Sequence, residues 1–410
     1  MQKLLVNIKE LFQVRASSEQ PVYGLDMKDL PSIKNAWLLI ENGCIADFGE
    51  MNSLPALSCE QLDAKGGYVL PTWVDCHTHI VFAASREEEF VMKIQGKSYE
   101  EIAASGGGIL NSARKLAGAR EEDLYEDAAK RLKQLIALGT GAIEIKSGYG
   151  LSLEAELKML RVIKKLKENF ALPIKANLLA AHAIPREYGS NRNAYIQLIV
   201  DEIIPAAAKE GLADFVDAFC EKGFFSPEET DFILKTGKSY GLRAKIHANQ
   251  LSISGGVQVG VANDAISVDH LEEIGEEELL SLQASRTIPV ALPSCSFYLG
   301  IPFAPVRKMM NANLPVAIAS DYNPGSSPSG NMNFLHSLAC IKLKMLPREA
   351  INAATINAAF AMGVEKEVGS ITKGKLANLI LTKELPSLEY LAYSFGENCI
   401  SKVLLKGEIF

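Results

Sequence analysis

Residues 68–79, YVLPTWVDCHTH, decide how this chain reads. The apolar run from Tyr68 to Val74 has the form of a buried parallel strand, short and continuous. It leads into Asp75-Cys76-His77-Thr78-His79, where histidines stand at i and i+2. In a strand such a pair points to one face, so both imidazoles can grip one metal ion. Cys76 alternates away from them and is read as core packing. Seven further runs repeat the form: Ala142 to Lys146, Ile174 to Ala181, Phe215 to Cys220, Arg243 to Ile246, Ala265 to Val268, Ile288 to Leu292 and Val316 to Ala319. Helical patterns lie between them, among them Leu124 to Leu138, Leu153 to Glu168, Tyr195 to Lys209 and Pro227 to Tyr240. Eight strands alternating with helices predict an α/β fold of the (β/α)8 type, with a doubly wound sheet as the alternative.

The chain has six histidines. His77 and His79 follow the first run, His182 the third, His247 the fifth and His270 the sixth, while Asp321 follows the eighth. Barrel enzymes gather their chemistry at that end of the strands. One such histidine is readily structural; five of the six at strand ends are hard to explain that way. His336 falls in a helical pattern and is read as structural. Imidazoles joined by a carboxylate suit Zn2+ or iron rather than Mg2+ or Ca2+.

Outside the barrel the rhythm changes. Trp37 to Ile40, the turn Glu41-Asn42-Gly43 and Cys44 to Phe48 read as a hairpin. Gly369 to Ile371, Leu376 to Thr382 and Cys399 to Leu405 are also strand-like. Both termini are therefore expected to build one small β-sandwich, residues 1–68 and 366–410, around a barrel of residues 69–365. The 410 residues are 48% hydrophobic and 22% charged, a globular composition. A net charge of -7 leaves no basic excess for a nucleic acid. No apolar run is long enough to span a membrane, and the N-terminus lacks the form of a signal peptide. Seven cysteines without a CxxC pair read as a reduced, cytoplasmic protein.

The His77-Thr78-His79 motif, His247, His270 and Ser320-Asp321 resemble the amidohydrolase superfamily. That superfamily joins a metal-bearing (β/α)8 barrel to a small β-sandwich made from both chain ends. Within it, the stretch Val69 to His79, Arg86, Ser105 to Ile109 (SGGGI), Lys146 to Gly150 (KSGYG), His182 to Pro185 (HAIP) and Ser320 to Ser326 (SDYNPGS) resemble a branch that works in histidine degradation. The resemblance spans nearly the whole chain. It implies hydrolysis of the ring amide of 4-imidazolone-5-propanoate to N-formimidoyl-L-glutamate. It implies His77, His79, His247 and Asp321 as metal ligands. It implies Arg86, Tyr149, His182, Gln250, Asn323, Gly325 and Ser326 as substrate contacts, and a homodimer.

The residues can be weighed on their own chemistry beside this. A guanidinium at Arg86 suits a carboxylate tail, and its plain alternative is a solvated partner of Glu87 to Glu89. Tyr149 stands between glycines in a loop that can approach a ligand, or it lines the core. Gly106-Gly107-Gly108 lacks the Lys-Ser or Lys-Thr of a phosphate loop and reads as a flexible entry to a helix. Asn323-Pro324-Gly325-Ser326 is a turn. Lys146 follows the second strand, out of place for a carboxylated lysine bridging two metals after the fourth. One Zn2+ or Fe3+ per subunit is therefore expected, leaving His182 free for substrate. Asp321 is expected to move protons and His270 to position water or polarise the carbonyl. Gln250 stands where some members carry an acidic residue; an amide can orient water but cannot act as a base. The competing readings are another mononuclear amidohydrolase, such as an aromatic-amine deaminase or cyclic amidase, and a catalytically inactive barrel subunit.

Overall fold

Eight strands pair parallel in chain order in the computed structural model, which describes residues 2–17, 19–97, 101 and 107–410. They are Trp73–Thr78, Thr140–Lys146, Ile174–Ala181, Phe215–Cys220, a fifth in two pieces (Arg243–Ala244 and Ile246–Ala248), Ser267–His270, Ile288–Ala291 and Ala317–Ile318. The first and last meet through His79 N donating to Tyr322 O at 2.8 Å and Asp321 N donating to His77 O at 3.0 Å. The closure of the barrel thus runs through the backbone of three expected metal ligands.

The run from Tyr68 to Val74, read as one strand, is two. Tyr68–Pro71 belongs to the outer sheet, pairing with Gln2–Phe12 and Leu379–Thr382. Thr72 N still donates to Asn378 O at 3.1 Å, but Trp73 N donates to Gly139 O at 2.9 Å, inside the barrel. Pro71 is the last residue of the outer strand, paired with Leu379, and the chain changes sheets between Thr72 and Trp73. The sixth strand is displaced from its expected span: Asp269 and His270, which look like a boundary, are inside it.

Alternation fixes what each strand shows. In Thr140–Lys146, Ile143 and Ile145 join the core under the helices, while Glu144 and Lys146 face the barrel interior network described below. The helices Glu121–Ala137, Leu153–Asn169 and Pro227–Ser239 bury Leu132, Leu160 and Leu234 against the strands. Ser226 and Glu229 form a capping box before the last of these, with Pro227 at its first turn. The expected helix Tyr195 to Lys209 is broken: Arg192–Gln197 and Ile204–Lys209 flank a π-turn over Leu198–Ile203. Pro205 lacks the N–H an unbroken α-helix would use. Cys76 packs with Val74, Ala317 and Met362.

Both termini build one eight-stranded sheet. Its hairpin between Ser32–Glu41 and Cys44–Glu50 turns at Asn42 (φ 51°) and Gly43 (φ 81°), the left-handed pair such a turn requires. Its longest strand, Gln2–Phe12, is missing from the sequence reading, because Lys3, Asn7 and Lys9 interrupt its apolar pattern. Asn7 sits at a register shift with φ 55°. No helix among the described residues is long and apolar enough to cross a membrane.

Candidate active site

His77 and His79 end the first strand pointing one way, and His247 arrives from the fifth. Ligand atoms of the three lie within 4.8 Å of one another. Asp321 joins them from just past the eighth strand: its Oδ1 is 3.5 Å from both His77 Nε2 and His79 Nε2. All four residues are buried. Asp321 takes φ 54° and His270 φ 90°, strained conformations that cluster where a side chain must be aimed.

Two imidazoles are locked from behind. His77 Nδ1 is 2.7 Å from Asp269 Oδ2, and His247 Nδ1 is 3.1 Å from Asp217 Oδ1. Each carboxylate fixes Nδ1 as the donor, leaving Nε2 with its lone pair free. Both Nε2 atoms are buried without a hydrogen-bond partner among the described residues. Burial pushes His77 and His79 well below the usual imidazole range, so both are neutral. Neutral imidazoles with orphaned nitrogens beside a carboxylate are what a metal ion of the zinc or iron kind needs.

Behind these carboxylates lies a buried charge network that the sequence reading missed. Lys146 Nζ donates to Glu144 Oε1 at 2.6 Å and Asp217 Oδ2 at 2.8 Å, and is 3.5 Å from Asp269 Oδ2. Lys245 Nζ donates to Glu144 and to Cys76 O. Burial works against the Lys146 ammonium, but Asp217, Glu144 and Asp269 outweigh it and hold the charge. Lys146 thus ties together the carboxylates that aim His77 and His247. Asp75 performs a like task, taking Ser320 N at 3.0 Å and Ser320 Oγ at 2.6 Å and so fixing the turn before Asp321. The available signal was periodicity: charges at every second position of otherwise apolar strands.

A cavity of about 840 Å3 opens above, lined by His79, Arg86, Tyr149, His182, Gln250 and Asp321 among others. Arg86 is withdrawn from solvent, its side chain 10% exposed. Its Nε donates to Ser112 Oγ at 2.9 Å, Nη1 stands 3.9 Å from Glu89, and Nη2 is buried with no partner among the described residues. Lys93, one helix face further on, lines the same cavity and donates to Gly325 O at 3.0 Å; the sequence reading did not single it out. His182 Nδ1 faces Gly148 O at 2.9 Å, so Nδ1 is the donor and Nε2 an acceptor. Burial, joined by His247, lowers His182 to about 3, which keeps it neutral. Burial raises the Tyr149 phenol, which stays protonated.

Asn323 Oδ1 accepts from Gly325 N and Ser326 N, both at 2.8 Å, while its Nδ2 donates to Asp321 O at 2.6 Å and Ser326 Oγ at 2.8 Å. The Asn323 amide is thus engaged in shaping the loop. Gln250 Nε2 points to Cys295 Sγ at 3.4 Å. His270 Nδ1 lies 3.4 Å from Glu272 Oε2; burial lowers its pKa, but Glu272 prevails and raises it. Burial raises Asp321, against His270 and His247. His336 stands apart, with Nε2 3.0 Å from Pro347 O. Of the glycine-rich segment, Ser105 and Gly106 lie outside the described residues; Gly108 precedes the helix Ile109–Ala117 and donates to Glu89 Oε1 at 3.0 Å.

Comparison with known proteins agrees with this geometry. The Amidohydrolase family matches residues 68–410. An imidazolonepropionase of Christiangramia forsetii is 58% identical over 410 residues, all of both chains. That of Flavobacterium johnsoniae is 55% identical over 407 residues, 99% of each chain. That of Geobacillus kaustophilus is 39% identical over 98% of this chain and 96% of its own. Among solved structures, an E. coli guanine deaminase superposes with a TM-score of 0.75 at 15% identity, over 100% of this chain and 99% of its own, a likeness of fold.

Proposed function

The chain belongs to the amidohydrolase family and, within it, to the imidazolonepropionases, and on that premise we propose how its residues open the substrate ring. The enzyme hydrolyses the ring amide C–N bond of 4-imidazolone-5-propanoate to N-formimidoyl-L-glutamate, a step of histidine degradation. The family is metal-dependent. One Zn2+ or Fe3+ per subunit would be held by His77, His79, His247 and Asp321. When bound, such an ion supplies Lewis acidity and lowers the pKa of water towards about 7.

The chain's own groups do the rest. Arg86 takes the propanoate carboxylate through its unpartnered Nη2, a charge-assisted contact. Lys93 adds positive charge beside it. His182 Nε2 accepts a ring N–H, and Tyr149 offers its phenol proton. The loop of Asn323, Gly325 and Ser326 presents backbone and hydroxyl groups to the ring. Asp321 accepts a proton from the attacking water and returns it to the departing ring nitrogen. His270, held by Glu272, positions water or the carbonyl oxygen, and Gln250 orients the same water. Attack at the ring carbonyl gives a tetrahedral intermediate, and its collapse breaks the C–N bond.

The observation that carries this reading is the convergence of three imidazoles and Asp321 at a cavity that Arg86 also lines. Product analysis tests it. Turnover should yield N-formimidoyl-L-glutamate and no ammonia; ammonia release would make the enzyme a deaminase. We place the enzyme in the cytoplasm, in keeping with seven free thiols, and expect a homodimer, to be measured by sedimentation.

A further inference from the structure

Beside the four proposed ligands lies a second set of metal-binding groups, one of which, His270, also serves the proposed reaction. His270, Glu272 and Cys295 are all buried, and ligand atoms of the three lie within 4.8 Å of one another. They come from two elements. His270 ends the sixth barrel strand, Glu272 follows it, and Cys295 sits in the helix Pro293–Leu299 after the seventh. The positive φ of His270 and Leu271, 90° and 65°, folds the chain back so that Glu272 returns under the His270 ring. Glu272 Oε1 accepts from Ser296 Oγ at 3.1 Å. Its Oε2 accepts no hydrogen bond among the described residues, in a side chain only 1% exposed. It stands 3.4 Å from His270 Nδ1, whose hydrogen bond goes to Oε1 at 3.5 Å, and both distances are longer than a good charge-assisted bond. An unsatisfied buried carboxylate oxygen is costly, and a cation between Oε2, Nδ1 and the Cys295 sulfur would satisfy it.

We propose that His270 Nδ1, Glu272 Oε2 and Cys295 Sγ form a second site, for a thiophilic divalent cation such as Cd2+ or excess Zn2+, whose occupation inhibits the enzyme. The donor set is imidazole, carboxylate and thiolate, which favours these ions over Mg2+ or Ca2+. Binding releases the Cys295 thiol proton and the His270 Nδ1 proton to solvent. A thiolate and a carboxylate then neutralise the two positive charges. Ligand atoms of a tetrahedral ion stand roughly 3.3–3.8 Å apart, given bond lengths of about 2.0–2.3 Å. Ligand atoms within 4.8 Å of one another reach that spacing by closing at most roughly 1.0–1.5 Å.

Inhibition rests on the part proposed above for His270. With Nδ1 bound to a metal the ring is pinned, and the Glu272 carboxylate no longer supports it. Cys295 would be drawn from Gln250 and from the Asp321 carboxylate it also contacts. Metal dependence should therefore be biphasic: the first ion activates and the second inhibits.

The test adds Cd2+ to the full-length enzyme already carrying one ion per chain. Bound metal is measured by equilibrium dialysis with elemental analysis, the thiolate-to-cadmium absorption band in the ultraviolet, and turnover in the same samples. A second ion should bind as the band appears, and turnover should fall with its occupancy. Cys295→Ser should lose the band and weaken the second ion by more than the roughly tenfold to hundredfold that loss of an outer partner costs, leaving the first in place. Glu272→Gln, which keeps shape and removes charge, should weaken it similarly should the serine variant fold poorly. No second ion, or a second ion bound equally well by both variants, overturns the site. A second ion with its band and undiminished turnover would overturn the proposed inhibition and the role given to His270.

Discussion

Arg86 is the residue whose burial says most about the substrate. A guanidinium with one amino group unpartnered in a cavity is an incomplete ion pair. Arg86→Ala should raise KM more than it lowers kcat, by about 1.5–3 kcal/mol of binding, roughly tenfold to over a hundredfold. Steady-state kinetics with a carboxylate-bearing substrate checks this; an unchanged KM would return Arg86 to a structural part. Gln250→Ala removes one neutral hydrogen bond and should cost about 0.5–1.5 kcal/mol, a few-fold to tenfold in kcat. Removing Asp321, the proposed proton-transfer group, should cost about a hundredfold or more. Equal losses from both, with metal retained, would give Gln250 an essential place in the transition state. Asp269→Asn tests the support behind His77. It should weaken metal affinity by roughly tenfold to a hundredfold, read by competition with a chelator.

Among the elements, the loop after the eighth strand and the helix Glu87–Ile94 after the first hold each other in place, Lys93 donating to Gly325 O. A Cβ at Gly325 would come within 2.3 Å of Arg86 Nη1, a mobile side-chain end rather than backbone. Gly325→Ala should therefore fold and bind metal normally, yet raise KM as Arg86→Ala does. Kinetics together with circular dichroism would show it. The return into the terminal sheet contains Lys375, buried and donating to Val368 O and Ser370 Oγ, both at 2.8 Å. Burial lowers it to about 8 from 10.5. Between those values the unfolded chain binds more protons than the folded one, so this group makes stability rise with pH across that window. Lys375→Met should remove that slope, worth about 1–3 kcal/mol, visible in urea midpoints compared between pH 8 and 10.

These elements differ in how well the sequence announces them. Barrel strands with short apolar runs are legible, because burial on both faces leaves an unbroken signal. Gln2–Phe12 is not, because its polar residues break the alternation. The His77-Thr78-His79 pair and Asp321 stand out by residue type and position. Glu144, Asp217 and Asp269 do not, since acids inside strands read as interruptions until the barrel shows them meeting at Lys146. The engaged amide of Asn323 and the orphaned Oε2 of Glu272 depend on contacts between distant segments that spacing alone cannot encode.

The whole molecule joins a barrel, whose last strand turn meets its first at the proposed metal ligands, to a sheet made from both chain ends. Closure through His77 O and His79 N means that folding of the barrel and assembly of the site are one event. Metal removal should therefore lower the thermal midpoint as well as abolish activity, by the linkage between binding and folding. On the function proposed above, one ion, held by His77, His79, His247 and Asp321, is what makes this barrel a hydrolase. The direct measurement is metal content per chain and turnover in the same samples, as metal-free enzyme is reloaded stepwise. Turnover should be absent without metal and rise linearly to one ion per chain, with His77→Ala failing to recover at any loading. Full turnover in the metal-free protein, or in loaded His77→Ala, would mean that this ion is not what drives hydrolysis.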